Sequence, residues 1–164
     1  MKIAIIGAGR VGKCFAYLLK EDFEIIGLSS KDSANLNFKE FKIFTPDKNS
    51  TLAKNSDIIF LTTPDDIIEK TCNEIFSDKT IKEKFVFHCS GCHSSEILKK
   101  AKENNCSVGS IHPLQSVPDF DQGIKNLKNA YFCIEGDEEA KKVAKKIVNS
   151  ISGKFYHTSD ILLL

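Results

Sequence analysis

The run Gly7-Ala8-Gly9-Arg10-Val11-Gly12 narrows the fold more than any other feature, because of what stands on either side of it. Lys2 to Ile6 is a short apolar segment that reads as a strand, and Val11 to Glu21 reads as a helix. A G-x-G-x-x-G pattern alone is weak; between a strand and a helix it acquires a mechanism. Gly7 permits the tight turn, Gly9 lets the backbone approach a pyrophosphate, and Gly12 permits close helix packing. The helix N-terminus, opened by Arg10 and Val11, offers unpaired N–H groups to the anion. Dinucleotide binding is the expectation.

The rest of the chain supports the same architecture. Short apolar runs alternate with longer amphipathic segments, the pattern of β-α-β units in a parallel sheet. Strands are expected at Phe23 to Leu28, Lys42 to Phe44, Asp57 to Thr62, Phe85 to Cys89, Ser107 to Ile111, Tyr131 to Glu135 and Lys154 to His157. Helices are expected at Asp65 to Phe76, Ser94 to Asn104 and Gly136 to Ile151; Asn35 to Phe41 is too short and polar for one. Asp65 or Asp66, and Ser94 or Ser95, are the expected caps. The fold class is therefore α/β: a Rossmann-type, doubly wound, mainly parallel sheet with helices on both faces.

At 164 residues with 41% apolar composition, the chain suits one globular core and no second substantial domain. Lys and Arg number 23 against 22 for Asp and Glu, which leaves no net field for a nucleic-acid backbone or an anionic membrane. No run approaches the roughly 20 apolar residues of a membrane span. Six cysteines dispersed through strands and helices, with no export signal, point to reduced thiols and a cytoplasmic location. The terminal Ile161-Leu162-Leu163-Leu164 has no cap or turn after it and reads as the start of a further element.

The ends of the strands carry the chemistry, since open α/β sheets bind ligands there. After the second strand, where a carboxylate would hold a ribose 2′-hydroxyl, the chain has Ser29-Ser30-Lys31; Glu24 lies too early and Asp32 past the tip. Two hydroxyls and a cation suit a 2′-phosphate, with Arg10 adding charge from the glycine loop, so NADP(H) is expected over NAD(H). Thr62-Thr63-Pro64 and Ser90-Gly91 are expected beside the nicotinamide half of the cofactor, Ser90 bringing a hydroxyl close to a substrate carbonyl. His112, followed by Pro113, places an imidazole at the same crevice, where it could serve a substrate carbonyl or only fix its own loop. Cys89-Ser90-Gly91-Cys92-His93 matches a haem-attachment pattern, but attachment needs an exported protein and this run straddles a strand end. With His88, Cys106 and His112 it also lacks four ligands at a paired zinc spacing, so no metal is expected.

The order of these motifs, from the glycine run through Ser29-Ser30-Lys31, Thr62-Thr63-Pro64-Asp65 and His88-Cys89-Ser90-Gly91 to Ser110-Ile111-His112-Pro113-Leu114, resembles the DUF2520-containing oxidoreductases. These look like relatives of pyrroline-5-carboxylate reductase, F420-dependent NADP oxidoreductase and the β-hydroxyacid dehydrogenases. The resemblance implies an NADP(H)-binding Rossmann domain over residues 1–157, with residues 158–164 beginning a C-terminal helical domain that is otherwise absent. In that group the helical domain commonly mediates dimerisation and closes the site for a small-molecule substrate, so the chain by itself is expected to be an incomplete oxidoreductase. Ser90 and His112 are the catalytic candidates. The start of the chain also looks like the nucleotide-sensing regulatory domains of potassium-transport systems, which carry an Asp where this chain has Ser29-Ser30.

Overall fold

The computed structural model describes residues 1–34 and 38–157. Its strands are β1 (Lys2–Ile6), β2 (Glu24–Ser29), β3 (Ile43–Phe44), β4 (Ile58–Leu61), β5 (Phe85–His88), β6 (Ser107–Pro113), β7 (Tyr131–Gly136) and β8 (Lys154–His157). The helices are α1 (Arg10–Leu19), α2 (Asn49–Lys54), α3 (Ile68–Ile75), α4 (Lys99–Glu103), α5 (Phe120–Leu127) and α6 (Glu138–Ser150). Among the described residues the strands form one sheet in the order β3-β2-β1-β4-β5-β6-β7-β8. Every neighbouring pair is parallel except β6 with β7, which makes the sheet mainly parallel as expected.

Alternation along the central strands feeds two cores. Ile3, Ile5, Ile58 and Phe60 point to one face, where they meet Phe15, Ala16 and Leu19 of α1 and the inner stripe of α6, Ala140, Val143, Ala144, Ile147 and Val148. Ala4, Ile6, Ile59 and Leu61 point to the other, against Leu52 of α2, Ile68 and Cys72 of α3 and Ala101 of α4. Phe15 stacks on Phe60 with ring centroids 5.2 Å apart, and Phe60 meets Phe87 at 5.7 Å. Central strands buried on both faces read as continuous apolar runs, which is why β1 and β4 are so plain in the sequence.

Several local expectations need correction. The helix foreseen at Asp65 to Phe76 opens as a 3-10 turn, Asp65–Ile67, before α3, and neither aspartate caps it. The helix foreseen at Ser94 to Asn104 likewise opens as a 3-10 turn, Ser95–Leu98. Ser94 holds the cap position without a side-chain bond, while the Ser95 hydroxyl donates to Glu135 Oε2 at 3.0 Å. β6 runs on through His112 to Pro113 because β7 returns antiparallel and pairs with both residues. α2 and α5 are additions; Asp119 caps α5, its carboxylate accepting from the Gln122 N–H at 2.8 Å. Residues 35–37 of the segment read as too polar for a helix, and the terminal run from 158 to 164, lie outside the described residues.

Candidate functional site

The strand order reverses between β1 and β4, so the carboxyl ends of these strands flank a crevice. A cleft of about 720 Å³ lies there, with the glycine turn in its wall. The backbone N–H groups of Gly7 and Ala8 donate to the Ser29 carbonyl at 3.0 and 2.8 Å. From the other side the Thr62 hydroxyl donates to the Gly7 carbonyl at 2.6 Å. The turn is thereby stapled to the tips of both β2 and β4. Gly7 sits at φ +115°, and an added Cβ would stand 2.7 Å from the Thr62 carbonyl carbon. Gly9 differs, because among the described residues, its own helix backbone and chain neighbours aside, nothing lies within 4 Å of the place its Cβ would take. It is also the N-cap of α1 and has no side-chain cap bond, so the first-turn N–H groups of a 10-residue helix remain for an anion.

Of the predicted cofactor residues, Gly7, Gly9, Arg10, Ser29, Ser30, Lys31, Thr62, Thr63 and Pro64 all line this cleft. Val11 and Gly12 do not; Val11 packs against the core and Gly12 acts by letting α1 approach the turn. Arg10 has a second commitment. One N–H of its guanidinium donates to the Pro118 carbonyl at 3.1 Å, tying α1 to the connection between β6 and α5. Asp32, read as past the strand tip, lines the cleft as well, and its backbone N–H donates to Ser30 Oγ at 3.2 Å.

Lys13, Pro46 and Asn49 line the cleft without having been singled out in the sequence. Pro46 and Asn49 lie past β3, on the way into α2, a helix that was not expected, so their arrival at the crevice had no local signal. Asn49 Oδ1 and Thr63 Oγ1 are buried and, among the described residues, have no hydrogen-bond partner. A buried oxygen left unpaired costs about 1–3 kcal/mol, so two of them in one cleft fit a bound polar molecule that donates to them. Bare backbone at Gly9, an uncapped helix N-terminus and orphaned oxygens together suit a phosphorylated dinucleotide.

Ser90 and His112 are brought together elsewhere, at the tips of β5 and β6, and do not line this cleft. His112 Nδ1 lies 2.9 Å from the Cys89 carbonyl, which can only accept, so Nδ1 carries the proton and Nε2 the lone pair. The ring lies against Gly91, where a Cβ would come within 2.6 Å of Nε2. Ser90 is buried; its Oγ accepts from the Cys92 N–H at 3.1 Å and its own N–H donates to His88 Nδ1 at 3.2 Å. His88 Nε2 therefore carries the proton and donates to the Ser94 carbonyl at 3.2 Å. Burial holds the His88 imidazole below its ordinary pKa, and this neutral ring braces the Ser90 turn. Among the described residues no disulfide joins the six cysteines; Cys89 is half-buried and Cys92 exposed. Among the described residues no three His, Cys, Asp or Glu side chains gather where they could hold a metal ion, and no helix is long and apolar enough to cross a membrane.

Sheet order, glycine turn and cleft define a dinucleotide-binding Rossmann domain. The sequence model of one family, NADP oxidoreductase coenzyme F420-dependent, matches residues 2–90, more than half of the chain. The chain belongs to this family, one of the groups its motifs resemble, and the match favours an oxidoreductase over a potassium-transport regulator. Among solved structures, protein TM1727 from Thermotoga maritima is 27% identical with a TM-score of 0.70, over 94% of this chain and 56% of that one. Pyrroline carboxylate reductase from Plasmodium falciparum, solved with NADP bound, is 16% identical with a TM-score of 0.73, over 96% of this chain and 57% of that one. The N-terminal domain of HmdIII from Methanocaldococcus jannaschii is 17% identical with a TM-score of 0.73, over 96% of this chain and 99% of that one. The chain thus spans little more than half the length of the first two. No curated protein matches it.

Proposed function

We propose that residues 1–157 bind NADP(H) and orient it for hydride transfer to or from a small carbonyl, hydroxyl or imine compound in a cytoplasmic oxidoreductase. The observation that carries this reading is the stapled glycine turn, held by Ser29 and Thr62 so that Gly9 stays bare beside an uncapped helix N-terminus. Gly7, Gly9 and Arg10 at the turn, with the first-turn backbone N–H of Val11, would receive the pyrophosphate, with Gly12 keeping α1 seated. Ser29, Ser30 and Lys31 would receive the 2′-phosphate. Thr62, Thr63, Pro64 and Ser90 would border the path toward the nicotinamide, with Thr63 Oγ1 gaining the partner it lacks.

The bound nicotinamide supplies the hydride chemistry, and the protein positions it. His112 and Ser90 are the proposed catalytic pair. With Nδ1 fixed on the Cys89 carbonyl, His112 Nε2 can take the hydroxyl proton as an alcohol is oxidised, and return it when a carbonyl is reduced. The Ser90 hydroxyl, whose oxygen already accepts one bond, keeps its own proton to donate to a substrate oxygen. The chain accounts for 56% and 57% of two of the solved chains, which supports an enzyme in which a second, helical domain closes the substrate site and carries a homodimer contact.

Titration of the purified chain with NADPH and NADH, followed by cofactor fluorescence, tests the reading. NADPH should bind more tightly. Lys31→Glu should weaken NADPH by about tenfold or more, the scale of one lost charge-assisted bond, and leave NADH nearly unchanged. No binding of either nucleotide would overturn the assignment, and tighter NADH binding would overturn its choice of cofactor.

A further inference from the structure

Lys13 stands out among the cations of the cleft. It is half-buried, yet among the described residues no carboxylate comes within ion-pair range of it. It lies instead over the face of Phe38, with Nζ 5.9 Å from the ring centroid. Phe38 is itself wedged against Phe41 at 5.6 Å and Phe120 at 5.1 Å, so the ring is a supported platform and the ammonium has a defined place above it. The other cations differ: Arg10 reaches the Pro118 carbonyl, Lys70 is highly exposed and lies 3.9 Å from Glu74, and Lys31 is exposed.

The direction in which Lys13 points follows from helix geometry. Lys13, Tyr17 and Lys20 form one stripe of α1 at i, i+4 and i+7. Lys20 pairs with Glu40 at 2.5 Å and Lys13 meets Phe38, so the stripe faces the segment that leaves the tip of β2. Lys13 also lines the cleft together with Ser29, Ser30 and Lys31. It lies a turn farther along α1 than Gly9 and on the β2 side, where a Rossmann fold holds the adenosine ribose rather than the pyrophosphate.

We infer that Lys13 is a second cation for the 2′-phosphate, and that Lys13 and Lys31 together set the preference for NADP(H) over NAD(H). The inference rests on the proposed cofactor reading and deepens it. It moves the supporting charge foreseen at Arg10 to the residue one turn on, for which the described residues offer no competing carboxylate.

The test compares wild type, Lys13→Met and Lys13→Arg by titration with NADPH, NADH and adenosine 2′,5′-bisphosphate. Methionine keeps the apolar stem over Phe38, and thermal melting checks that each variant is folded. Lys13→Met should weaken NADPH and the bisphosphate by about tenfold to a hundredfold, the span of a charge-assisted hydrogen bond, and NADH by less than about threefold. Lys13→Arg should recover most of the loss. If wild type prefers NADPH but Lys13→Met loses both dinucleotides equally, or neither, the role of Lys13 is overturned while the cofactor reading stands. If wild type binds no dinucleotide, both fall.

Discussion

Replacing Gly9 and Gly12 in turn by alanine should separate the site from the fold, because the two glycines of one motif have opposite surroundings. A Cβ on Gly12 would stand 2.1 Å from the Gly7 carbonyl oxygen and 2.6 Å from Thr62 Oγ1. Ordinary contact needs 3 Å or more, so α1 must retreat from the turn by about 1 Å, an overpacking that costs about 1–3 kcal/mol. The Thr62 hydroxyl bond to Gly7 lies in the path of the same methyl, and its loss adds about 1 kcal/mol. A total of about 2–4 kcal/mol lowers Tm by roughly 4–15 °C in a domain of this size. Gly9 sits at φ −75° and ψ −171°, which alanine adopts without strain, and among the described residues, its own helix backbone and chain neighbours aside, nothing lies within 4 Å of the new methyl. Alanine gains about 0.4–1 kcal/mol by restricting the unfolded chain and loses a similar amount as a poorer N-cap than glycine. The Tm of Gly9→Ala should therefore stay within about 3 °C of wild type. Its methyl nevertheless fills the space a pyrophosphate would need, so NADPH affinity should fall by at least about tenfold, or 1.4 kcal/mol. Melting by circular dichroism and titration by NADPH fluorescence read the two quantities on the same samples. If Gly9→Ala is as destabilised as Gly12→Ala, or binds NADPH within twofold of wild type, the division of labour within the motif is wrong.

Two further outcomes follow from buried titratable groups. Burial holds His88 below its ordinary value of 6.5, so the unfolded chain takes up a proton that the folded chain resists. That stability is fully present above pH 6.5 and declines as the pH falls below it; His88→Gln should flatten the urea midpoint between pH 7.5 and 5.5, and parallel curves would refute the point. Burial also pushes the Cys14 thiol up to about 11 and the Cys72 thiol up to about 12. Iodoacetamide at pH 8 should therefore alkylate exposed Cys92 well before either, and equal labelling rates by mass spectrometry would show that the packing around α1 and α3 is looser than the structure has it.

Legibility from sequence divides along the range of the interactions. The turn at Gly7 to Gly12 and the apolar strands around it depend on neighbours in the chain, and they stand where periodicity and glycine placement put them. α5 is hard to read because Gly123 stands in the middle of its eight residues and reads as a breaker, although Phe120, Ile124 and Leu127 recur at helical spacing. In the structure that glycine is the contact: a Cβ there would meet Cys14 Sγ at 2.6 Å and Val117 Cγ1 at 2.7 Å, so its absence lets α5 close on α1. The caps divide for a related reason. Ser94 holds the N-cap position as read, without a side-chain bond, whereas Asp65 and Asp66 do not cap, because the chain enters α3 and α4 through 3-10 turns; the partner Ser95 takes, Glu135, is 40 residues away.

The site shows the same division. Ser29, Ser30, Lys31 and Thr62 to Pro64 were findable because strand tips are predictable once strands are. The sequence singles out Arg10 rather than Lys13, because what distinguishes their settings is remote: Pro118, 108 residues from Arg10, and Phe38, past the second strand from Lys13. His112 was harder still, because its setting depends on a strand running the other way. Antiparallel β7 pairs His112 with Cys133 and Pro113 with Phe132, which holds the histidine inside β6 rather than at a free end. The Cys89 carbonyl, presented just beyond parallel β5, then fixes which ring nitrogen carries the proton. A backbone clamped on one side and an imidazole oriented from the other give His112 a fixed lone pair without any carboxylate partner among the described residues, at the strand where the parallel and antiparallel parts of the sheet meet.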